Sequence, residues 1–261
     1  MTAEVEVSIP KELLTKILKS VTPEAVLVGG QSLAFWVSYY GIQLPEEFQV
    51  GAISDDADFL GGRADLAAIA KSVASTPEYT SLKVISSLVG QVKIPVSKLE
   101  YVNVDVLHKL VGLNSGDVRE RATRVTVDNV DFLVMHPFDV FVSRIENLAV
   151  LAEKQNSQGV EQAKLGVLVA RHFIEEIARN PDNGQKHALR LIERVVKLAK
   201  KGHGRKVTRD FGIDFRGAVP GYSITSEKFK EIRYPQILAE LRPVASGSVD
   251  VITRAAFPSA G

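Results

Sequence analysis

Ser54-Asp55-Asp56-Ala57-Asp58-Phe59 sets three acids in four positions inside a stretch that its apolar flanks and the closing pair Gly61-Gly62 mark as a strand. Stability alone does not select such a composition. Side chains alternate along a strand, so Asp56 and Asp58 share one face about 7 Å apart while Ala57 and Phe59 turn to the other. Two carboxylates held this way repel each other and are costly to desolvate unless a cation sits between them. Oxygen-only ligation suits a hard divalent ion, magnesium above all. A third acid stands where a neighbouring strand can supply it: in Asn103-Val104-Asp105-Val106-Leu107, Asp105 shares a face with Asn103 and Leu107. A lone aspartate at a strand end reads as a cap for the next helix. Three in two strands of one region point instead to a metal centre of Asp56, Asp58 and Asp105.

Upstream, residues 25–28 are an apolar run ended by Gly29-Gly30, and residues 31–41 return to helical spacing, which predicts a strand, a glycine turn and a helix. Paired glycines let backbone N–H groups close on an anion at a helix N-terminus, and Ser32 adds a hydroxyl, although the same pair also serves as a plain turn. Before this unit, Ser8 and Pro10 precede a short helix carrying Leu13, Leu14, Ile17 and Leu18. After the acidic strand, the Ala-rich and Leu-rich residues 64–75 predict a helix. Residues 82–96 and 101–107 concentrate β-branched side chains around a four-residue link, which predicts antiparallel neighbours, and 125–134 predict a hairpin about Asp128-Asn129. Past His136-Pro137 the period changes to 3.6 over 137–155, 159–180 and 184–202. The fold class is therefore α+β, with a mixed β-sheet and flanking helices in residues 1–135 and a helical C-terminal domain in 136–261. Beyond Gly202 glycine and charge predict irregular chain, relieved by a short helix within 234–243, and the tail after Pro243 reads as loosely held.

Composition sets the outer limits. Of 261 residues, 45% are apolar and 24% charged, which excludes disordered and collagen-like classes. Absence of cysteine excludes disulfides, thiolate zinc sites and a cysteine nucleophile, and fits a reducing compartment. The first residues lack the basic end and unbroken apolar stretch of a signal peptide, and no window reaches the roughly 20 apolar residues of a membrane span. A cytoplasmic protein with no membrane partner is expected.

Glycine turn, Asp-x-Asp strand and a lone Asp on a later strand follow the motif order of the polymerase-beta-like nucleotidyltransferase superfamily, which residues 20–135 resemble. Val28-Gly29-Gly30-Gln31-Ser32-Leu33-Ala34 is similar to its glycine motif, Ser54-Asp55-Asp56-Ala57-Asp58-Phe59 to its metal-binding motif and Val104-Asp105-Val106-Leu107 to its third-carboxylate motif. The nearest branch is the abortive-infection toxin type, in which this nucleotidyltransferase core is joined to a helical C-terminal part. The resemblance implies magnesium-dependent transfer of a nucleoside monophosphate from a nucleoside triphosphate, ATP included, to an acceptor, with pyrophosphate released. Asp56 and Asp58 would bind two magnesium ions; Asp105 would bind one and help activate the acceptor hydroxyl. Gly29, Gly30, Gln31 and Ser32 would hold the triphosphate. A toxin–antitoxin or phage-defence role, with a cognate antitoxin as partner, is implied as well. The chain departs from the family pattern twice. Between Gly30 and Asp56 it is longer than the family's usual spacing, and after the core Arg144 and Lys154 are the equivalents of the nucleotide-binding basic residues, with Gln155-Asn156 where an acid is expected.

A net charge of +1 conceals segregation: residues 183–216 hold ten Lys and Arg against three acids, a local charge of +7. Arg190, Arg194, Lys197 and Lys201, spaced 4, 3 and 4, line one helix face that continues into residues 202–206. Such a stripe fits a phosphate backbone, so RNA, including a tRNA end, is the expected acceptor, ahead of a protein side chain and a small molecule; a solvated helix face is the plainer reading. The competing functions are a catalytically silent nucleotide- or RNA-binding relative and a hydrolase. Gly30-Gln31-Ser32-Leu33-Ala34 lacks the last glycine of a nucleophile elbow, and no GxxxxGK[ST] occurs. The five histidines form no metal spacing, and His172 reads as a packed core residue. Phe35, Trp36, Tyr39 and Tyr40 read as core, with Tyr39 or Tyr40 the two that could approach a nucleotide.

Overall fold

A computed structural model describes residues 5–44, 56–81 and 83–242. Strand β1 (Val5–Glu6) leads to helix α1 (Lys11–Leu18), which follows Pro10 and buries Ile17 and Leu18. The wholly buried β2 (Val26–Val28) passes directly into α2 (Gly29–Tyr39), whose inner face holds Leu33, Trp36 and Val37. Next come β3 (Ala57–Leu60) and α3 (Arg63–Ser72), then β4 (Pro77–Tyr79), β5 (Leu88–Pro95) and β6 (Glu100–Leu107). Helix α4 (Ser115–Arg121) precedes the pair β7 (Thr123–Val127) and β8 (Val130–Val134). The C-terminal half contains α5 (Pro137–Val150), α6 (Ser157–Arg179), α7 (Gly184–Lys200), α8 (Gly202–Phe211) and α9 (Tyr234–Glu240).

The result is a mixed α/β protein around an eight-stranded mixed sheet, ordered β4-β5-β6-β3-β2-β8-β7, with β1 pairing with the early part of β6. Central β2 runs antiparallel to β3 and parallel to β8, while β3 runs parallel to β6. One apolar core gathers the sheet with α1, α2 and α3; the other gathers α5 through α9. Val140, Leu165 and Val169 carry α5 and α6 into the sheet's own core, so the helical half is seated on the sheet and not tethered beside it.

Local chemistry explains most elements. Asp128 and Asn129 both take positive φ, the geometry that a two-residue hairpin turn requires, and β7 pairs with β8 as the pattern predicts. Antiparallel pairing of β5 with β6 also matches, though β5 starts only at Leu88. Pro137 opens α5 and the His136 Nδ1 accepts the Phe138 N–H at 3.2 Å, capping it. Three expectations need correction. The expected helix over 137–155 stops at Val150, because Leu151 turns extended before a 3-10 turn (Ala152–Lys154). The glycine-rich chain after Lys201, expected to be irregular, is α8: a Cβ on Gly204 would collide with the Leu198 carbonyl oxygen, so that glycine serves close packing against the end of α7. His172 is not a core residue; it keeps solvent contact and stacks on Tyr40 at 5.8 Å, 3.4 Å from Glu175. Ser54, Asp55, Leu82 and the tail after Pro243 lie outside the described residues.

Candidate metal centre

Register brings the acids together. Asp58 on β3 is the direct cross-strand partner of Asp105 on β6 and of Val28 on β2. Asp56, expected within the strand, stands just before β3, which starts only at Ala57, and ligand oxygens of Asp56, Asp58 and Asp105 all lie within 4.8 Å of one another. Asn103, two residues before Asp105, donates from Nδ2 to Asp105 Oδ1 at 2.8 Å and fixes that carboxylate. Gly29 closes the turn over Asp58. Its φ of +64° is one that side chains rarely adopt, and a Cβ there would run into the Asp58 carboxylate. The glycine therefore permits both the turn and the acid beneath it.

The electrostatics ask for a cation. Burial, reinforced by the charges of Asp56 and Asp105, pushes the Asp58 carboxyl up to about 8, against the pull of Arg144 and Lys154. Asp105 is raised too, mainly by burial, with the Asn103 hydrogen bond opposing it. Carboxylates this close repel one another, and a counter-charge between them relieves that cost. The donor set is hard oxygen throughout, so these residues can hold magnesium or a similar divalent ion.

Beside the acids a cleft of about 220 Å³ is walled by Gly30, Asp56 and Asp58 on the sheet side and by Arg144, Asn147, Lys154, Gln158 and Gln162 on the helical side, with Glu6 at its edge. Arg144 is only 6% exposed. Its Nη1 donates to Gln162 Oε1 at 3.2 Å and its Nη2 to Ser143 Oγ at 3.3 Å, while Nε is buried without a partner among the described residues. Burial lowers the Arg144 pKa, and Asp58 and Asp56 oppose that shift. Lys154 is fixed by the tight entry into α6: a Cβ on Gly159 would collide with the Lys154 carbonyl oxygen, and Asn156 Oδ1 caps that helix by accepting the Gly159 N–H at 2.8 Å. Arg144 and Lys154, more than 35 residues beyond Asp105 in the chain, thus share a cleft with the carboxylates.

Other expected site residues stand elsewhere. Ser32 is wholly buried and its hydroxyl donates to the Gly29 carbonyl at 2.9 Å, so it braces the turn instead of facing the cleft. Gln31, one residue and about 100° round the helix from Gly30, lines a separate groove beside α1. The Tyr39 and Tyr40 hydroxyls donate to Glu176 on α6, Tyr40 at 2.8 Å, tying the two helices together. Arg190, Arg194 and Lys197 share a hollow on α7 apart from the cleft, and Lys201 sits at the α7–α8 break. The stripe's expected continuation turns back on α5: His203 Nδ1 meets Glu146 Oε2 at 2.6 Å and Lys206 Nζ donates to the Ala149 carbonyl at 2.6 Å. Sequence reasoning missed Glu6, Asn147, Gln158 and Gln162. Asn147 is three residues from Arg144, and Gln158 and Gln162 are four apart, so helical spacing was the available signal.

No family model matches the chain, and comparison with curated proteins finds no match. No helix among the described residues is long and apolar enough to cross a membrane.

Proposed function

We propose that the chain is a divalent-metal-dependent nucleotidyltransferase of the polymerase-beta-like type, moving a nucleoside monophosphate from a nucleoside triphosphate to an acceptor hydroxyl. The observation that carries this reading is the convergence of Asp56, Asp58 and Asp105 within 4.8 Å, beside a cleft into which Arg144 and Lys154 also open. Carboxylates alone would make a cation site; carboxylates facing a buried arginine and a lysine across a cleft make a place for a metal-bound polyphosphate.

Asp56, Asp58 and Asp105 would hold magnesium, which when bound supplies charge neutralisation for the entering and leaving oxygens. The Gly29-Gly30 turn offers α2's backbone N–H groups to phosphate oxygens, and the Arg144 Nε–H, which has no acceptor among the described residues, would donate to the same partner. Lys154, held at the cleft wall, would add a positive charge for the leaving pyrophosphate. Asp105, oriented by Asn103, takes the acceptor hydroxyl proton. The acceptor oxygen bonds to the α-phosphorus, the bond from that phosphorus to the α,β-bridging oxygen breaks, and pyrophosphate departs with the electron pair.

Incubation with each labelled nucleoside triphosphate, magnesium and total RNA or lysate tests the proposal. Label is expected on an acceptor and is expected to vanish with EDTA. Transfer that survives Asp56→Asn combined with Asp58→Asn sinks the site assignment. A second reading, a catalytically silent nucleotide binder, is favoured by Gln155 and Asn156, which are spent on the Ala149 carbonyl and on the α6 cap where the family's acid is expected. Magnesium-dependent nucleotide binding without transfer would select it.

A further inference from the structure

We propose that the exposed face of α7 is a docking surface for a single nucleic-acid strand, held by its phosphodiester backbone. The inference stands apart from the metal-centre reading, because Asp56, Asp58 and Asp105 take no part in it.

Lys186, Arg190, Arg194, Lys197 and Lys201 fall within an arc of about 80° on the helix and extend over about 22 Å, with steps close to 6 Å where the spacing is four residues. The opposite face is packed: Ala188, Ile192, Val195, Val196 and Leu198 are buried in the helical core. Among the described residues, no side-chain hydrogen bond or ion pair engages Lys186, Arg190, Lys197 or Lys201, so their charge is free for an outside partner. Arg194 is held in place, its guanidinium 4.3 Å over the Phe138 ring. The first four cations enclose, with Leu189 and Glu193, a shallow hollow of about 570 Å³. Glu193 does not spoil the field there, because Arg233 clamps both its oxygens at 2.8 and 2.9 Å. Regularly spaced cations over a hollow whose one acid is already neutralised match a chain of phosphates.

The same geometry says which part of a nucleic acid is held. Among the described residues, no aromatic side chain lines the hollow, so bases have nothing to stack on and the backbone is the feature read. Because α7 packs on α6 and α8, only one flank faces outward, too little to enter a duplex groove as a free recognition helix does. The chain's own residues 243–261 carry one acid, Asp250, and one base, Arg254, so they offer no charge to complement the face.

Anisotropy with mixed-sequence 20-nucleotide RNA and DNA strands, in EDTA at 50 and 200 mM salt, tests the surface. With about four phosphates neutralised, affinity should fall about 50-fold across that range. Arg190→Gln with Lys197→Gln should shallow the slope of log affinity against log salt by about 1.4, and Arg190→Glu with Lys197→Glu should go further. The control pair Lys16→Glu with Lys109→Glu should match wild type, and these surface variants should keep the wild-type circular dichroism melt. Asp56→Asn with Asp58→Asn should bind the strands unchanged, so loss of nucleotidyl transfer and loss of docking are read separately. An unaltered slope in the Gln pair, or an equal loss in the control pair, overturns the proposal. So does tighter binding of a polyglutamate peptide, which would assign the face to an acidic protein, or salt-sensitive self-association in sedimentation, which would assign it to a second copy.

Discussion

At Gly29 two demands meet on one residue. The backbone takes φ +64° and the space a side chain would need is filled by Asp58. Gly29→Ala is therefore expected to cost about 1–3 kcal/mol through the strained conformation, before any clash is relieved, and to displace the carboxylate it touches. A thermal melt should show the loss of stability, and magnesium titration should show weakened binding. Gly30→Ala is the contrasting case, since no positive φ is required there. Asp58 makes a prediction with a definite sign. Its carboxyl sits near 8 in the fold against an ordinary 3.8, so between those values the native chain holds a proton that the unfolded chain has released. Metal-free stability should then be highest below pH 4 as far as this group is concerned, fall as pH rises, and level off above about 8. Asp58→Asn should abolish that slope and stabilise the metal-free protein at pH 8 by about 1–3 kcal/mol, while eliminating metal binding. Melts from pH 4 to 9 in EDTA check both statements; a wild-type slope that persists in the variant overturns them.

The elements differ in how plainly their residues announce them. The hairpin at Asp128-Asn129 was readable because both residues tolerate positive φ, whereas period-two alternation offered Asp105 as a third acid without fixing its pairing with Asp58. Helix α8 was not readable, because glycine signals a turn when viewed locally and close helix packing only when α7 is in place. The link from α5 to α6 shows the same limit. Gln155-Asn156 looked like a missing acid, whereas the fold uses Gln155 Nε2 to reach the Ala149 carbonyl at 3.3 Å and Asn156 to start α6. Asn156→Ala should cost about 1 kcal/mol as a lost helix cap and loosen Lys154 above the cleft. Asn156→Asp should keep the cap, because aspartate serves equally well there, and leave the melt within about 0.5 kcal/mol of wild type. Denaturant titration of the two variants separates capping from any electrostatic contribution at the site.

On the scale of the whole molecule, the cleft belongs to neither half alone. The carboxylates meet by strand register, of which alternation shows only the face each shares, whereas Arg144, Asn147, Gln158 and Gln162 arrive by docking α5 and α6 on the sheet through Val140, Leu165 and Val169, a contact that their helical spacing does not by itself display. A cation taken up at the acids should therefore tighten the contact between halves as well as the sheet. It relieves the repulsion among Asp56, Asp58 and Asp105, and it frees Arg144 and Lys154 from serving as the acids' nearest positive charges. Magnesium at a hundred times its dissociation constant should stabilise the protein by about 2.7 kcal/mol, read as a rise in melting temperature that Asp56→Asn with Asp58→Asn eliminates. Hydrogen exchange then distinguishes a sheet-only effect from a coupled one. Protection should rise in β3 and β6 and, on the coupled reading, in α5 and the first turns of α6; protection confined to the strands would show that the helical half closes the cleft without sharing in the binding energy.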